Sequence, residues 1–304
     1  MSFINKLKKG VSNPVASLIL MFGFEKFKFL PDEKYLSIMY KFYFGKKLNL
    51  ENPKSFNEKL QWLKINNRKK EYSTYVDKYL VREYISSKIG VEYLIPLLGV
   101  WNTPEEINFD SLPNQFVLKC NHNSGTGMCI CKNKNELDLK KVKKDLKKGL
   151  RENYFYLGRE WPYKDVQRKI IAEQYMVDES GCELKDYKVL CFNGEPKLIE
   201  LHQGRFTDHQ SQDYYDINWQ KTTISQSIVG GFGCSDIVVD KPLCFEKMMK
   251  FSKLLSANIP VVRIDWYVIN EKLYFGEITF FDGSGFDGFD NPEDDIMLGE
   301  WINL

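Results

Sequence analysis

The sequence lacks an excess of charge: Lys plus Arg number 43 and Asp plus Glu 41, a net charge of +2 over 304 residues. A surface built throughout for nucleic acid is excluded, and no nucleic-acid partner is expected. A disulfide framework is also missing. The seven cysteines form an odd set without framework spacing, which argues against a stapled secreted domain and for reduced thiols in the cytosol. Long apolar runs are absent as well. The longest, Val15 to Phe24, falls short of the roughly 20 residues that cross a bilayer. Glu25-Lys26-Phe27-Lys28 follows it where a signal peptide would carry a small-residue cleavage site. Neither a transmembrane helix nor a signal peptide is expected, and the location read from these absences is cytoplasmic. No internal repeat and no low-complexity linker occurs, so any domains pack directly on one another. With 43% hydrophobic side chains, the chain has enough apolar material for a substantial core.

Charge is unevenly placed. The first 50 residues carry nine lysines, among them Lys6, Lys8 and Lys9, against Glu25, Asp32 and Glu33; after Lys272 there is no Lys or Arg at all. The first lysines precede Asn13-Pro14, a cap and first helical residue, and then the apolar run. Two readings stand for that helix: docking on its own domain, or lying in a membrane interface, with peripheral contact to the inner face of the membrane through the basic N-terminal region. The acidic end begins beside Glu277. Its first part is expected to belong to a site and its last part not.

The texture changes twice along the chain. Leu36 to Ile89 shows helical spacing (Phe56, Leu60, Leu63; Tyr75, Tyr79, Val81, Ile85) with Gly90 as a stop. From Tyr93 to Cys131, prolines punctuate short apolar runs, with a strand at Phe116 to Cys120 and another at Met128 to Cys131. Glu136 to Leu150 reads as an amphipathic helix with Leu137, Val142, Leu146 and Leu150 inward and a solvated lysine face. Strands are then predicted at Ile170–Met176, Tyr187–Phe192, Lys197–Leu201, Val261–Ile269 and Leu273–Phe280, with a helix at Phe245–Ala257. Asn193-Gly194 is a hairpin turn signal. The fold class is α+β. Three parts are expected: a helical segment over residues 1–72, a part with a phosphate-binding loop over 73–168, and a part with a hinge and a metal site over 169–304.

Three stretches could carry chemistry. In Lys119-Cys120-Asn121-His122-Asn123-Ser124-Gly125-Thr126-Gly127, a strand ends in lysine and enters a small-residue loop that could cradle phosphate. It is not a Walker A loop, and a plain glycine-rich turn is the competing reading. A zinc site from Cys120, His122, Cys129 and Cys131 is a weaker third reading, because the spacings do not match Cys-x-x-Cys. In Val261 to Thr279, a hairpin with a three-residue turn at Asn270 to Lys272 would pair Ile269 with Leu273, Asp265 with Glu277 and Arg263 with Thr279. All four polar side chains would then share one face. A divalent cation, Mg²⁺ by the preference of hard oxygen ligands, would reconcile the two carboxylates; an Arg263 salt bridge would do so too. A two-residue turn would send Asp265 and Glu277 to opposite faces. In the third stretch, Ile170 to Met176 could offer edge backbone groups to a purine, and Asp186 could accept from ribose hydroxyls; a surface strand with solvated charges is the alternative. The histidines His122, His202 and His209 are read as loop or surface positions, Gly230 to Gly233 as a turn or a mobile loop, and Asp282 to Asp287 as no calcium loop.

These pieces follow one another in a specific order: Asp77-Lys78-Tyr79-Leu80-Val81-Arg82, Phe116-Val117-Leu118-Lys119 with its loop, Glu173-Gln174-Tyr175-Met176, Asp186-Tyr187-Lys188-Val189, Arg263-Ile264-Asp265 and Gly276-Glu277-Ile278-Thr279. The set resembles the ATP-grasp superfamily, and within it the TupA-like ATP-grasp proteins found with bacterial surface-polysaccharide genes. The likeness spans about Tyr75 to Phe286, with Pro53 to Leu60 also similar. It implies ATP clasped between two α+β subdomains, with Lys78, Lys119 and the loop Ser124, Gly125, Thr126 and Gly127 at the phosphates. By the same analogy Glu173, Gln174, Tyr175 and Met176 form the adenine hinge and Asp186 meets the ribose. Asp265 and Glu277 would hold Mg²⁺, and Arg263 with Lys188 would stabilise the transferred phosphoryl group. Thr279 stands where many ATP-grasp enzymes carry Asn as a further metal ligand. The implied reaction joins a carboxylate to an amine through an acyl-phosphate, the carboxylate belonging to a small molecule or to a uronic acid of a surface glycan. A glycosyltransferase, an ATP-dependent sugar or lipid kinase and a non-catalytic module remain as alternatives. The first is disfavoured by the lack of a clear Asp-x-Asp.

Overall fold

The computed structural model describes residues 14–22, 24–178, 184–204, 210–226, 233–236 and 238–304. Lys6, Lys8, Lys9, Glu183, His209 and Gly230 to Phe232 lie outside them. Five helices lead: α1 (Pro14–Phe22), α2 (Asp32–Phe44), α3 (Phe56–Asn66), α4 (Glu71–Val76) and α5 (Val81–Ile89). The start of α3 is set by a capping box: the Ser55 side chain accepts from the Glu58 N–H, while Glu58 accepts from the Ser55 N–H. Among the described residues, no helix is long and apolar enough to cross a membrane.

Two antiparallel sheets follow. The first has the order β1-β4-β2-β3, from β1 (Leu97–Trp101), β2 (Phe116–Cys120), β3 (Cys129–Cys131) and β4 (Ile170–Gln174). It is backed by α6 (Leu139–Arg151), whose Val142 and Leu146 are buried with Phe116, Leu118 and Ile170. Asp138 caps α6 by accepting from the Lys141 N–H, so the helix starts three residues later than its apolar pattern suggests. A short helix, α7 (Phe155–Gly158), leads back toward β4.

The second sheet has the order β7-β6-β5-β8-β9, from β5 (Asp186–Phe192), β6 (Glu195–Gln203), β7 (Ser211–Asp216), β8 (Val261–Ile269) and β9 (Lys272–Thr279). Alternation along these strands places Tyr187, Val189, Ile199, Leu201, Ile264 and Trp266 in the main core, where α8 (Phe245–Leu255) adds Phe245, Met248 and Leu255. Phe56, Leu60 and Leu63 of α3 join the same core, and α9 (Pro292–Glu300) packs on α3 through Asp295, which accepts from the Asn57 N–H at 2.9 Å. The segment before residue 72 is thus built into the second sheet's core. β7 carries no sequence signal of its own: Ser-Gln-Asp-Tyr-Tyr-Asp has little apolar alternation, and its pairing with β6 makes it a strand.

The β8–β9 hairpin corrects the expected turn. Asn270 and Glu271, with φ of 48° and 59°, form a two-residue turn, so Ile269 faces Lys272 and not Leu273. The register then shifts between Ile264 and Trp266: Gly276 and Glu277 together oppose Asp265, a β-bulge that restores the pairing of Ile264 with Ile278 and Arg263 with Thr279. A Cβ at Gly276 would sit 3.0 Å from the Asp265 carbonyl oxygen, so this crossing favours glycine and a larger residue would push that carbonyl aside.

Candidate active site

Between the two sheets lies a cleft of about 560 Å³. Lys78, Lys119, Ser124, Gly125, Thr126, Asp186, Lys188, Arg263, Asp265, Glu277 and Thr279 all line it, brought together from both sheets and the turn before α5. Gly127 and Glu173 to Met176 do not line it.

The first wall is cationic and loop-built. Asp77, buried at the start of α5, accepts from the N–H groups of Tyr79 and Leu80 and from the Asn121 side chain at 2.9 Å. The Lys78 N–H in turn donates to the Asn121 carbonyl, which pins Lys78 beside the 121–127 loop. Its ammonium donates to the Asn123 carbonyl at 3.0 Å and lies 3.1 Å from Glu277 on the opposite sheet. Glu152, just past α6, gathers the loop by accepting from Asn123 and Thr126. Gly127 (φ 73°) packs where a Cβ would lie 2.9 Å from Gly149 Cα; its role is to seat the loop on α6. Gly125 (φ 80°) has open space beside it, so its backbone is approachable from the cleft. On β2, Lys119 makes a 2.5 Å ion pair with Glu173, which Arg82 also approaches at 3.4 Å. Glu173 is thereby committed to two cations, and Gln174 is exposed at the strand end.

The second wall is a row of charges in register across the sheet: Glu200 on β6 faces Lys188 on β5, which faces Asp265 on β8, with Glu277 at the bulge of β9. Arg263 holds Asp265 through both carboxylate oxygens at 2.7 Å, reaches Glu277 at 3.7 Å and Thr279 Oγ1 at 3.4 Å, and also pairs with Asp282. Burial works against the charge on Arg263, but Asp265, Asp282 and Glu200 outweigh it and hold its pKa above the ordinary value. The two carboxylates diverge. Burial pushes Asp265 up to about 6 against Arg263 and Lys188, whereas at Glu277 the pull of burial is overcome by Lys78 and Arg263, which hold it at about 2.

Asp265, Glu277 and the Thr279 hydroxyl present hard oxygen donors on one face, held apart from mutual repulsion by Arg263 and Lys78. That donor set fits a single Mg²⁺ completed by phosphate oxygens. Among the described residues no three His, Cys, Asp or Glu side chains form a metal-holding group, so Cys120, His122, Cys129 and Cys131 do not converge as the zinc reading requires.

Several lining residues carry no sequence signal. Tyr154, Glu160 and Tyr163 come from the α6-to-β4 connection, Phe24 from the turn after α1, and Met39 and Tyr43 from α2. Asp282 and Asp287 fulfil the expectation that the first part of the acidic end reaches the site, whereas Asp295 packs on α3. His122 lies in the loop, as one of its two readings had it, but not at the surface: it is 1% exposed, its Nε2 lies 3.1 Å from the Glu152 carbonyl oxygen, and burial lowers its pKa to about 4. His202 is also drawn inward, against Glu200.

Two α+β units enclosing a cleft of opposed lysines and carboxylates define the ATP-grasp class of fold. The family model for TupA-like ATP-grasp proteins matches residues 58–303, and the chain belongs to that family. Comparison with curated proteins finds no match. Among solved structures, the chain is similar to a D-alanine–D-alanine ligase from Bacillus anthracis complexed with ATP (15% identity, 68% of this chain and 54% of that one, TM-score 0.39). It is also similar to the D-alanine–D-alanine ligase of Helicobacter pylori (14% identity, 82% and 69%, TM-score 0.43) and to a phosphoribosylamine–glycine ligase from Thermotoga maritima (13% identity, 69% and 48%, TM-score 0.41). The chain spans about half the length of the first and third of these.

Proposed function

We propose that this protein is an ATP-dependent carboxylate–amine ligase. The observation that carries the reading is the facing of Lys78, Lys119 and the open Gly125 backbone by Arg263, Lys188, Asp265 and Glu277 across one cleft. The first group suits a triphosphate and the second the charge that develops as phosphate is transferred. In this reading ATP lies with its phosphates along the Ser124 to Thr126 loop, and Asp186 accepts from the ribose hydroxyls. A carboxylate oxygen of the acceptor attacks the γ-phosphorus; the bond to the β-bridging oxygen breaks, and ADP leaves. Arg263 and Lys188 stabilise the charge on the transferred group. The nitrogen of an amine then attacks the acyl-phosphate carbonyl carbon, the C–O bond to phosphate breaks, and an amide and inorganic phosphate result once the nitrogen has lost its proton. Asp265, Glu277 and Thr279 would hold Mg²⁺, which when bound neutralises phosphate charge.

The carboxylate is assigned to a sugar acid of a bacterial surface polysaccharide. Tyr43 and Tyr154 along the cleft support this, as half-buried aromatic side chains against which a pyranose can pack. To test the proposal, purified protein is incubated with ATP, Mg²⁺ and a panel of uronates with amino acids, and products are read by mass spectrometry. ADP and a new amide are expected. AMP and pyrophosphate would overturn the acyl-phosphate route, and sugar transfer from a nucleotide sugar without ATP would replace it with a glycosyltransferase.

A further inference from the structure

Helix α1, Pro-Val-Ala-Ser-Leu-Ile-Leu-Met-Phe, is apolar except at Ser17, and a soluble helix of that kind is normally enclosed. Among its described side chains only Ile19 enters the core, beside Tyr35, Leu36, Met39 and Tyr40. Val15, Leu18 and Leu20 are each about two-fifths exposed, and Met21 is 67% exposed. Phe29, 72% exposed, extends the same N-terminal region. Exposed lysines flank these side chains, Lys26 and Lys28 after the helix. Lys6, Lys8 and Lys9 precede it in a stretch of 13 residues with no Asp or Glu. A contiguous exposed apolar surface marks an interaction site, and a lysine border selects for an anionic partner.

We propose that α1 and Phe29 dock on an anionic lipid surface, with the apolar side chains in the acyl boundary and the lysines at the headgroups. Over the described residues α1 is nine residues long, short of the roughly 20 that cross a bilayer. A protein partner would satisfy the apolar side chains but gives no reason for a cationic border on both flanks, whereas an anionic bilayer answers to both features. The docking element also adjoins the cleft: Phe24, two residues past α1, lines it together with Met39 of α2, and Arg159 donates to the Phe27 carbonyl to tie this turn to the protein body. Docking therefore holds the mouth of the cleft beside the lipid surface.

The test is flotation of the full chain with vesicles of pure phosphatidylcholine and with an equal mixture of phosphatidylcholine and phosphatidylglycerol, alongside sedimentation without lipid. The wild type should float with the mixed vesicles only, less so in high salt, and sediment as a monomer. Leu18→Asp/Met21→Asp and Lys26→Glu/Lys28→Glu should each weaken flotation at least about tenfold without moving the thermal midpoint. Met21→Ser, at the most exposed position of the helix, gives a readout should the double variant fail to fold. Failure of the wild type to float, equal flotation with both vesicle types, or a lipid-free dimer that Leu18→Asp/Met21→Asp dissolves would overturn the proposal; the last would assign the face to a second copy. None of these readouts depends on ligase activity.

Discussion

Two buried cations, Arg263 in the cleft and Lys64 behind its lining, stand in contrasting surroundings. Arg263 is ringed by the carboxylates of Asp265, Asp282 and Glu277. Lys64, fully buried on α3, donates to neutral oxygens: Gly158 and Ser284 carbonyls at 2.7 Å each and Gln61 Oε1 at 3.0 Å, with the Phe286 ring 4.8 Å away. Burial lowers the Lys64 pKa to about 7 against Glu160 and Asp32, whereas the carboxylates drive Arg263 upward. A cation surrounded by anions can exchange them for phosphate when a nucleotide arrives. One that satisfies backbone carbonyls instead fixes a wall: Lys64 and Gln61 capture the carbonyls of Ser284 and Gly285, which sit at φ of 54° and 60° in an unusual left-handed turn. The first cation serves chemistry and the second serves shape.

Substitutions that separate rate from stability probe this contrast. Asp265→Asn should cost the most, lowering the ATP-dependent rate by about 10³-fold while leaving the denaturation midpoint nearly unchanged, because Asp282 and Glu277 still pair Arg263; retention of full activity would contradict the assignment. Lys64→Met should do the reverse. It leaves Glu160 and the Ser284 carbonyl buried without their cation, so urea denaturation should show a loss of about 3–5 kcal/mol, with calorimetry showing ATP affinity changed far less. A third prediction concerns pH. His122 is neutral in the fold with a pKa near 4, against about 6.5 when exposed. Protonation therefore favours the unfolded chain, and stability is present above pH 6.5 and lost as pH falls from 6.5 toward 4, by up to roughly 3 kcal/mol. Thermal melts across that window should show a steeper fall for wild type than for His122→Asn. The smallest effect is expected from Gly276→Ala, about 1–2 kcal/mol, since the Asp265 carbonyl must give way; a larger drop in ligase rate than in stability would show that the bulge aims Glu277.

Much of the second wall was legible because it lies on two strands close in sequence, where alternation alone places Arg263 and Asp265 on one face. Even so, the pairing of Arg263 with Thr279 is reached by a different route from the one expected. The turn is one residue shorter and the bulge at Gly276 makes up the difference, a device signalled only by a glycine inside a strand. The Lys119 strand and its small-residue loop were likewise visible as local pattern. Lys64, Glu160 and Tyr43 were not: Glu160 and Tyr43 reach the cleft, and Lys64 the layer behind it, through packing between segments far apart in the chain, and nothing in the helical spacing of α3 distinguishes a lysine facing solvent from one sealed beneath Phe286. The same limit hid His122, drawn inward by Glu152.

The most direct test of the ligase account follows oxygen. With an acceptor whose carboxylate is labelled with ¹⁸O, attack on the γ-phosphorus transfers one labelled oxygen to the phosphate released with ADP, which ³¹P NMR detects as an isotope-shifted line. The account predicts that line in step with amide formation; amide formed with unlabelled phosphate, or with AMP, would contradict it.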